Sequence, residues 1–289
     1  MKINRVLQSV THALSKLNPK DVRESAAQLI TLQLHASSSE RYWQMESFFA
    51  PSETLSEAKR GQVTQLVKRE GQRADGVVLH VIEKGMEAGP NAFIYDPANP
   101  EKLICDILER RPELNLALAR QFSPFRTQVV QDLIRSVAKE NALFSLATAV
   151  PSAIPFISLP WAVGEFASDT AFLTANQIRM AFMLAAASDR TVGYKEQKAE
   201  IASLFAGAFG WRALARELVG KIPFGGGLLP KAAIGYAATY VVGLSLERYY
   251  RLGYGFTPEE RHTLYDQAFE KGKKIASSLA ESYRERKAV

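Results

Sequence analysis

Cysteine is all but missing from this chain: Cys105 stands alone among 289 residues. A lone thiol closes no internal disulfide and builds no thiolate metal cluster, which suits a reducing compartment. Histidine is scarce too. His12, His35, His80 and His262 are scattered, with no HExxH spacing and no cysteine partners, so no metal site is expected. The excess of positive charge is modest, 36 basic against 30 acidic residues for a net of +6. No groove-reading motif accompanies it, and ERYYR at 247–251 is one short run, so no nucleic-acid partner is expected. The first twenty residues lack the apolar stretch of a secretory signal, and cytosolic synthesis without export is the expectation.

Catalytic signatures are lacking as well. The turn GGGLLPKA at 225–232 superficially matches a phosphate-binding loop, but that pattern needs glycine before the lysine and a hydroxyl after it. Pro230 and Ala232 stand there instead; proline donates no N–H to a phosphate and alanine binds no magnesium. Ser56 with Lys59 and Ser136 with Lys139 both match SxxK, without the companion elements of a serine acylase, and read as surface helix positions. Glu259 and Glu260 open a helix, where they favour its dipole. The expectation is therefore a protein that is not an enzyme, with no catalytic, cofactor-binding or metal-binding residues. An unfamiliar site around Glu165 and Asp169 is the minor rival.

What the chain has is an ordinary globular composition, 47% apolar and 23% charged, distributed unevenly. Residues 141–247 carry 15 charges in 107 positions, against 51 in the other 182. Such a block must bury itself in protein, lipid or a partner. Between Glu140 and Glu165 lie 24 uncharged residues, long enough to span a bilayer, but Pro151, Pro155 and Pro160 break any straight helix there. The pattern predicts a helix ending near Val150, a proline-rich link, and a second helix from about Trp161. A second apolar stretch, Ile222 to Leu246, is interrupted only by Lys231. It predicts a turn at Gly225–Gly227 and a helix over 232–246, in which Gly235, Thr239 and Gly243 recur every fourth residue and permit close helix approach. Arg248, Tyr249, Tyr250 and Arg251 follow it like an interfacial belt. Asp169, Gln177 and Lys231 would be polar elements inside the resulting bundle.

Four helix starts pair a capping oxygen with proline: Asn18-Pro19, Asn99-Pro100, Ser123-Pro124 and Thr257-Pro258. Thr257 with Glu260 makes a capping box. The first twenty residues place Ile3, Val6, Leu7, Val10, Leu14 and Leu17 on one helical side. They carry four basic and no acidic side chains, a pattern suited to an anionic membrane surface or to packing on the protein itself. Strand signals are few. Residues 76–82 (GVVLHVI) and 92–95 (AFIY) can form a small sheet patch, although the first reads equally as a helix turn. Loops are expected at 36–40 and 84–101. The fold class is therefore mainly α: a helical bundle with two apolar helical hairpins, about 141–188 and 200–246, and a small α/β patch in the N-terminal third. The expected division is a charged, mostly helical region over 1–110, an apolar hairpin domain over 111–252, and an amphipathic helix over 253–289.

From about Phe125 to Gly255 the chain resembles an uncharacterised bacterial family of helical domains, found C-terminal to Era-like GTPases and in stand-alone inner-membrane-associated proteins. The resemblance lies in the run FRxxVVxxLIR at Phe125–Arg135. It continues with Asp169, Leu173, Thr174, Asn176, Gln177 and Met180, and with IPxGGGxxPKAAIxYxxTYxxG at Ile222–Gly243. It implies a helical, membrane-associated module and a GTPase partner. No GTPase motif occurs in residues 1–120, so that partner would act in trans. The expected function is that of a non-enzymatic protein on the cytoplasmic face of the inner membrane, with self-association open to it. The alternative is a soluble cytoplasmic adaptor or scaffold whose apolar block is its core or a protein interface.

Overall fold

A computed structural model of the chain describes residues 18–53, 55–149, 169–204 and 228–287. The basic N-terminal helix, the proline-rich link, the Trp161 helix start, Glu165 and the Gly225–Gly227 turn lie outside the described residues, as does the side chain of Asp169. The elements run α1 (Lys20–Ala27), β1 (Ile30–His35), α2 (Ser39–Phe49), α3 (Glu57–Leu66), β2 (Val67–Arg69), β3 (Val77–Glu83), β4 (Phe93–Tyr95), α4 (Pro100–Arg110), α5 (Asn115–Gln121), α6 (Ser123–Ala149), α7 (Asp169–Ala187), α8 (Leu228–Leu252) and α9 (Pro258–Lys287). The fold is mainly helical, with one small sheet in the N-terminal part.

The chain divides into two compact units. One comprises Lys20–Gln131 with Ala185–Thr191. Its four strands form an all-parallel sheet in the order β2-β1-β3-β4. Ile30, Leu32 and Leu34 of β1 align with Val77, Leu79 and Val81 of β3, and Val81 in turn with Phe93 of β4. Strand alternation puts all of these on one apolar face, and most are fully buried. The opposite face alternates Thr31, Gln33 and His35 with Val78, His80 and Ile82. Helices α2, α3 and α5 contact β1, and α4 contacts β4. Phe49, Phe122 and Phe125 pack ring against ring at 6.2–6.4 Å and are fully buried. Gln121 closes the start of β1, accepting from the Ile30 N–H at 3.1 Å and donating to the Gln28 carbonyl at 2.7 Å.

The second unit contains the described residues 132–149, 169–184, 192–204 and 228–287. Here α6, α7, α8 and α9 supply the core. Ala138, Ala142 and Leu146 meet Ala232, Tyr236 and Ala276, while Ala237, Ala238 and Val241 meet Tyr265 and Ala268. Small residues bring the backbones together. A Cβ on Gly235 would stand 2.7 Å from the Ser145 hydroxyl, so the spacing of Gly235, Thr239 and Gly243 does serve close packing. The helix bearing them is longer than the expected 232–246, and the Arg248–Arg251 run lies inside its last turns.

The proline starts are borne out unevenly. The Thr257 box is complete, Glu260 N donating to Thr257 Oγ1 at 3.2 Å and Thr257 N to Glu260 Oε2 at 2.8 Å. Asn99 precedes Pro100 of α4 but makes no side-chain cap bond, since the turn before it closes through Asp96. Ser123 is the first residue of α6 rather than its cap, and α1 begins at Lys20, just beyond Pro19.

Candidate functional site

Three places combine polar chemistry with position. The first is the carboxyl edge of the sheet where β1 and β3 adjoin, the point from which chain connections depart in opposite directions and where open α/β sheets hold ligands. The loop after β1 supplies Ser37 and Ser38, and Ser38 caps α2 by accepting from the Arg41 N–H at 3.2 Å. The last residue of β3, Glu83, reaches across. Its Oε2 accepts from the Ser37 N–H at 2.8 Å and the Ser37 hydroxyl at 2.6 Å, and its Oε1 lies 3.2 Å from Arg41 Nε. The Ser37 hydroxyl and amide, then the Arg41 charge, hold the Glu83 carboxyl below the usual carboxylate range. The donors that such a crevice would offer a phosphate are thus taken by the protein's own carboxylate.

The second place is the interior of the helical unit. Asn141 on α6 is fully buried and donates to Thr239 Oγ1 of α8 at 2.7 Å, while its Oδ1 accepts from Asn176 Nδ2 of α7 at 2.8 Å. Gln177, also on α7, donates to the same Thr239 hydroxyl at 3.3 Å. Three helices are thereby cross-linked through amides and one hydroxyl. Such a network pairs all but one of its buried polar atoms, Asn176 Oδ1, and fixes helix register. Gln177 thus sits inside the bundle as the sequence predicts, whereas Lys231 is only half-buried. Asn141, the centre of the network, was not expected; its signal is a polar residue in the α6 stripe containing Ala138 and Ala142.

The third place is the corner where α8 ends. Tyr249, Leu252 and Tyr254 are 37%, 43% and 56% exposed, beside exposed Arg251 and Arg261. Arg248 is held beneath them, its guanidinium 5.2 Å from the Tyr254 ring and 4.5 Å from the Phe256 ring and bonded to Glu260 at 3.0 Å. Tyr249 and Arg261 also line a groove of about 360 Å³ with Gln177, Glu200, Ser245 and Leu246.

The remaining sequence candidates have structural roles. Ser56 caps α3 by accepting from the Lys59 N–H, and Lys59 pairs with Asp189, which also pairs with Arg120 at 3.1 Å. Phe125 belongs to the aromatic core, and Arg126 donates to the Ala119 and Ala187 carbonyls at 3.2 and 2.9 Å. The histidines are less scattered than the sequence suggests, because His35 and His80 meet at 3.1 Å between ring nitrogens. Among the described residues, no group of three or more His, Cys, Asp or Glu has the arrangement to hold a metal ion. No protein-family model, curated protein or solved structure matches the chain.

Proposed function

We propose that this is a non-enzymatic protein that attaches to the cytoplasmic face of a membrane through its helical unit, working there with a GTPase supplied in trans. The observation that carries the attachment is the exposed corner of Tyr249, Leu252 and Tyr254 beside Arg251 and Arg261. Aromatic rings with polar tips and an adjacent leucine suit the headgroup boundary, and arginines beside them suit anionic lipid. No helix among the described residues is long and apolar enough to cross a membrane, so the reading concerns surface attachment by this corner. Arg261 near an anionic surface contributes about 1 kcal/mol and Arg251, bonded to Glu247 at 2.7 Å, less, so the attachment is weak and salt-sensitive unless a second element joins it. Residues 1–20, with four basic and no acidic side chains, are the natural second element. The GTPase partner rests on the resemblance of Phe125–Gly255 alone.

Co-sedimentation of the full chain with vesicles of phosphatidylcholine alone or with added phosphatidylserine tests the attachment. Binding is expected on the anionic vesicles, weakened by raised salt and by the triple change Tyr249→Ser, Leu252→Ser, Tyr254→Ser. No sedimentation with either vesicle, or a triple variant that binds as well as the parent, overturns the reading. The second reading, a scaffold complete in itself, is supported by the amide network that pairs Asn141, Asn176, Gln177 and Thr239 within the unit.

A further inference from the structure

On the polar face of the sheet, Gln33 of β1 is in register with His80 of β3, and His35 lies two residues further along β1 on the same face. Their rings are tilted by 46° with centroids 5.3 Å apart, and His35 Nε2 lies 3.1 Å from His80 Nδ1. The other nitrogen of His35, Nδ1, lies 3.3 Å from Glu70 Oε2. Glu70 is placed there by a tight turn. Gln72 N donates to the Arg69 carbonyl, and Gly71 takes the positive φ of 79° that the third position of a type II turn requires. Arg69 N donating to Gln72 Oε1 at 2.8 Å braces the same turn.

We infer that His35 Nε2 and His80 Nδ1 form a two-imidazole site for an imidazole-seeking divalent cation (zinc, nickel or copper), with Glu70 as the carboxylate that orients His35. Two imidazole nitrogens on one tetrahedral ion at the usual zinc distance stand about 3.3 Å apart, close to the observed 3.1 Å, so an ion needs the rings to turn until both lone pairs aim at it but little change in their separation. A carboxylate oxygen 3.3 Å from His35 Nδ1 favours the tautomer with its hydrogen on Nδ1, which leaves Nε2 to donate its lone pair, as in carboxylate–histidine–metal arrangements. With that tautomer, the hydrogen between the rings of the metal-free pair belongs to His80 Nδ1. Coordination requires it on His80 Nε2, an exchange that neutral imidazole makes through solvent because His80 is exposed. Solvent and an external group would complete the coordination, since the protein offers two ligands here. Lys68, in register with Gln33 on the neighbouring strand, is the closest cation on this face by register and lowers the affinity. The inference is independent of the membrane reading.

The test is calorimetric titration of zinc into the untagged, chelator-treated full chain, with copper electron paramagnetic resonance as a second readout. One equivalent of zinc is expected to bind, weakened at least tenfold by His80→Gln and by His35→Gln, and about tenfold by Glu70→Gln. His262→Gln is expected to leave binding unchanged. The copper spectrum should show coupling to two nitrogens and lose one in His80→Gln. Absence of saturable binding, or binding that survives His80→Gln unchanged, overturns the inference. His80 is on the surface, so that variant keeps the test decisive even if His35→Gln fails to fold.

Discussion

Gly243 and Ile134 face each other across two helices so closely that a Cβ on the glycine would stand 2.7 Å from Ile134 Cγ2. Ile134 is 1% exposed and has little room to yield, and Met180 Sδ closes the same gap at 3.2 Å. Overpacking costs about 1–3 kcal/mol and the better helix propensity of alanine returns up to about 1 kcal/mol, so Gly243→Ala is expected to destabilise by about 1–2 kcal/mol. The cost should shrink in an Ile134→Ala background. A denaturant double-mutant cycle measures this, and additive effects would contradict the packing described.

Thr239 offers one hydroxyl to two buried amides, Asn141 at 2.7 Å and Gln177 at 3.3 Å. Thr239→Val keeps the shape and strands both donors, at an expected cost of about 2–3 kcal/mol. Thr239→Ser keeps the acceptor and loses one buried methyl, at about 1 kcal/mol. Urea unfolding of the two variants should rank them in that order.

The two helix starts predict opposite sensitivities. Thr257→Ala removes an acceptor used by Glu260 N and should cost about 1 kcal/mol. Asn99→Ala removes no cap bond and should stay within about 0.5 kcal/mol of the parent. Thermal unfolding distinguishes them.

Glu83 titrates below its ordinary value because Ser37 and Arg41 favour the charged form. A carboxyl depressed on folding stabilises above the unfolded-state value, near about 4.3, and that contribution is lost as pH falls through the lower, folded value. Glu83→Gln is therefore expected to speed hydrogen exchange at the Ser37 amide at pH 7, with the difference from the parent shrinking as pH falls through the lowered folded-state value. A difference that persists in acid would contradict the assignment.

Much of the helical framework was legible because its signals are local. The Thr257 box and the four-residue spacing of Gly235, Thr239 and Gly243 all lie within one element. Strand β4 was legible as a short β-friendly run, β3 only as one of two equal readings beside a helix turn, and a loop was expected at 36–40, although α2 already begins at Ser39. Strand β1 was not anticipated, although ITLQLH alternates apolar and polar residues, because no turn residue separates it from the helical pattern before it. Strand β2 has only three residues and follows α3 directly, so it carries no period to detect. The meeting of His35 and His80 depends on the β1–β3 register, a long-range property that no window of sequence contains. Phe125, Arg126, Asn176, Gln177, Thr239 and Gly243 serve as packing and cross-linking groups in the structure.

The two outer strands of the sheet, Val67–Arg69 and Phe93–Tyr95, are three residues long. So few free amides give a stray polypeptide almost nothing to zip onto, and Lys68 and Arg69 add repulsion on one side. Brevity at its rims leaves a sheet with parallel strands little edge onto which a neighbouring chain could add.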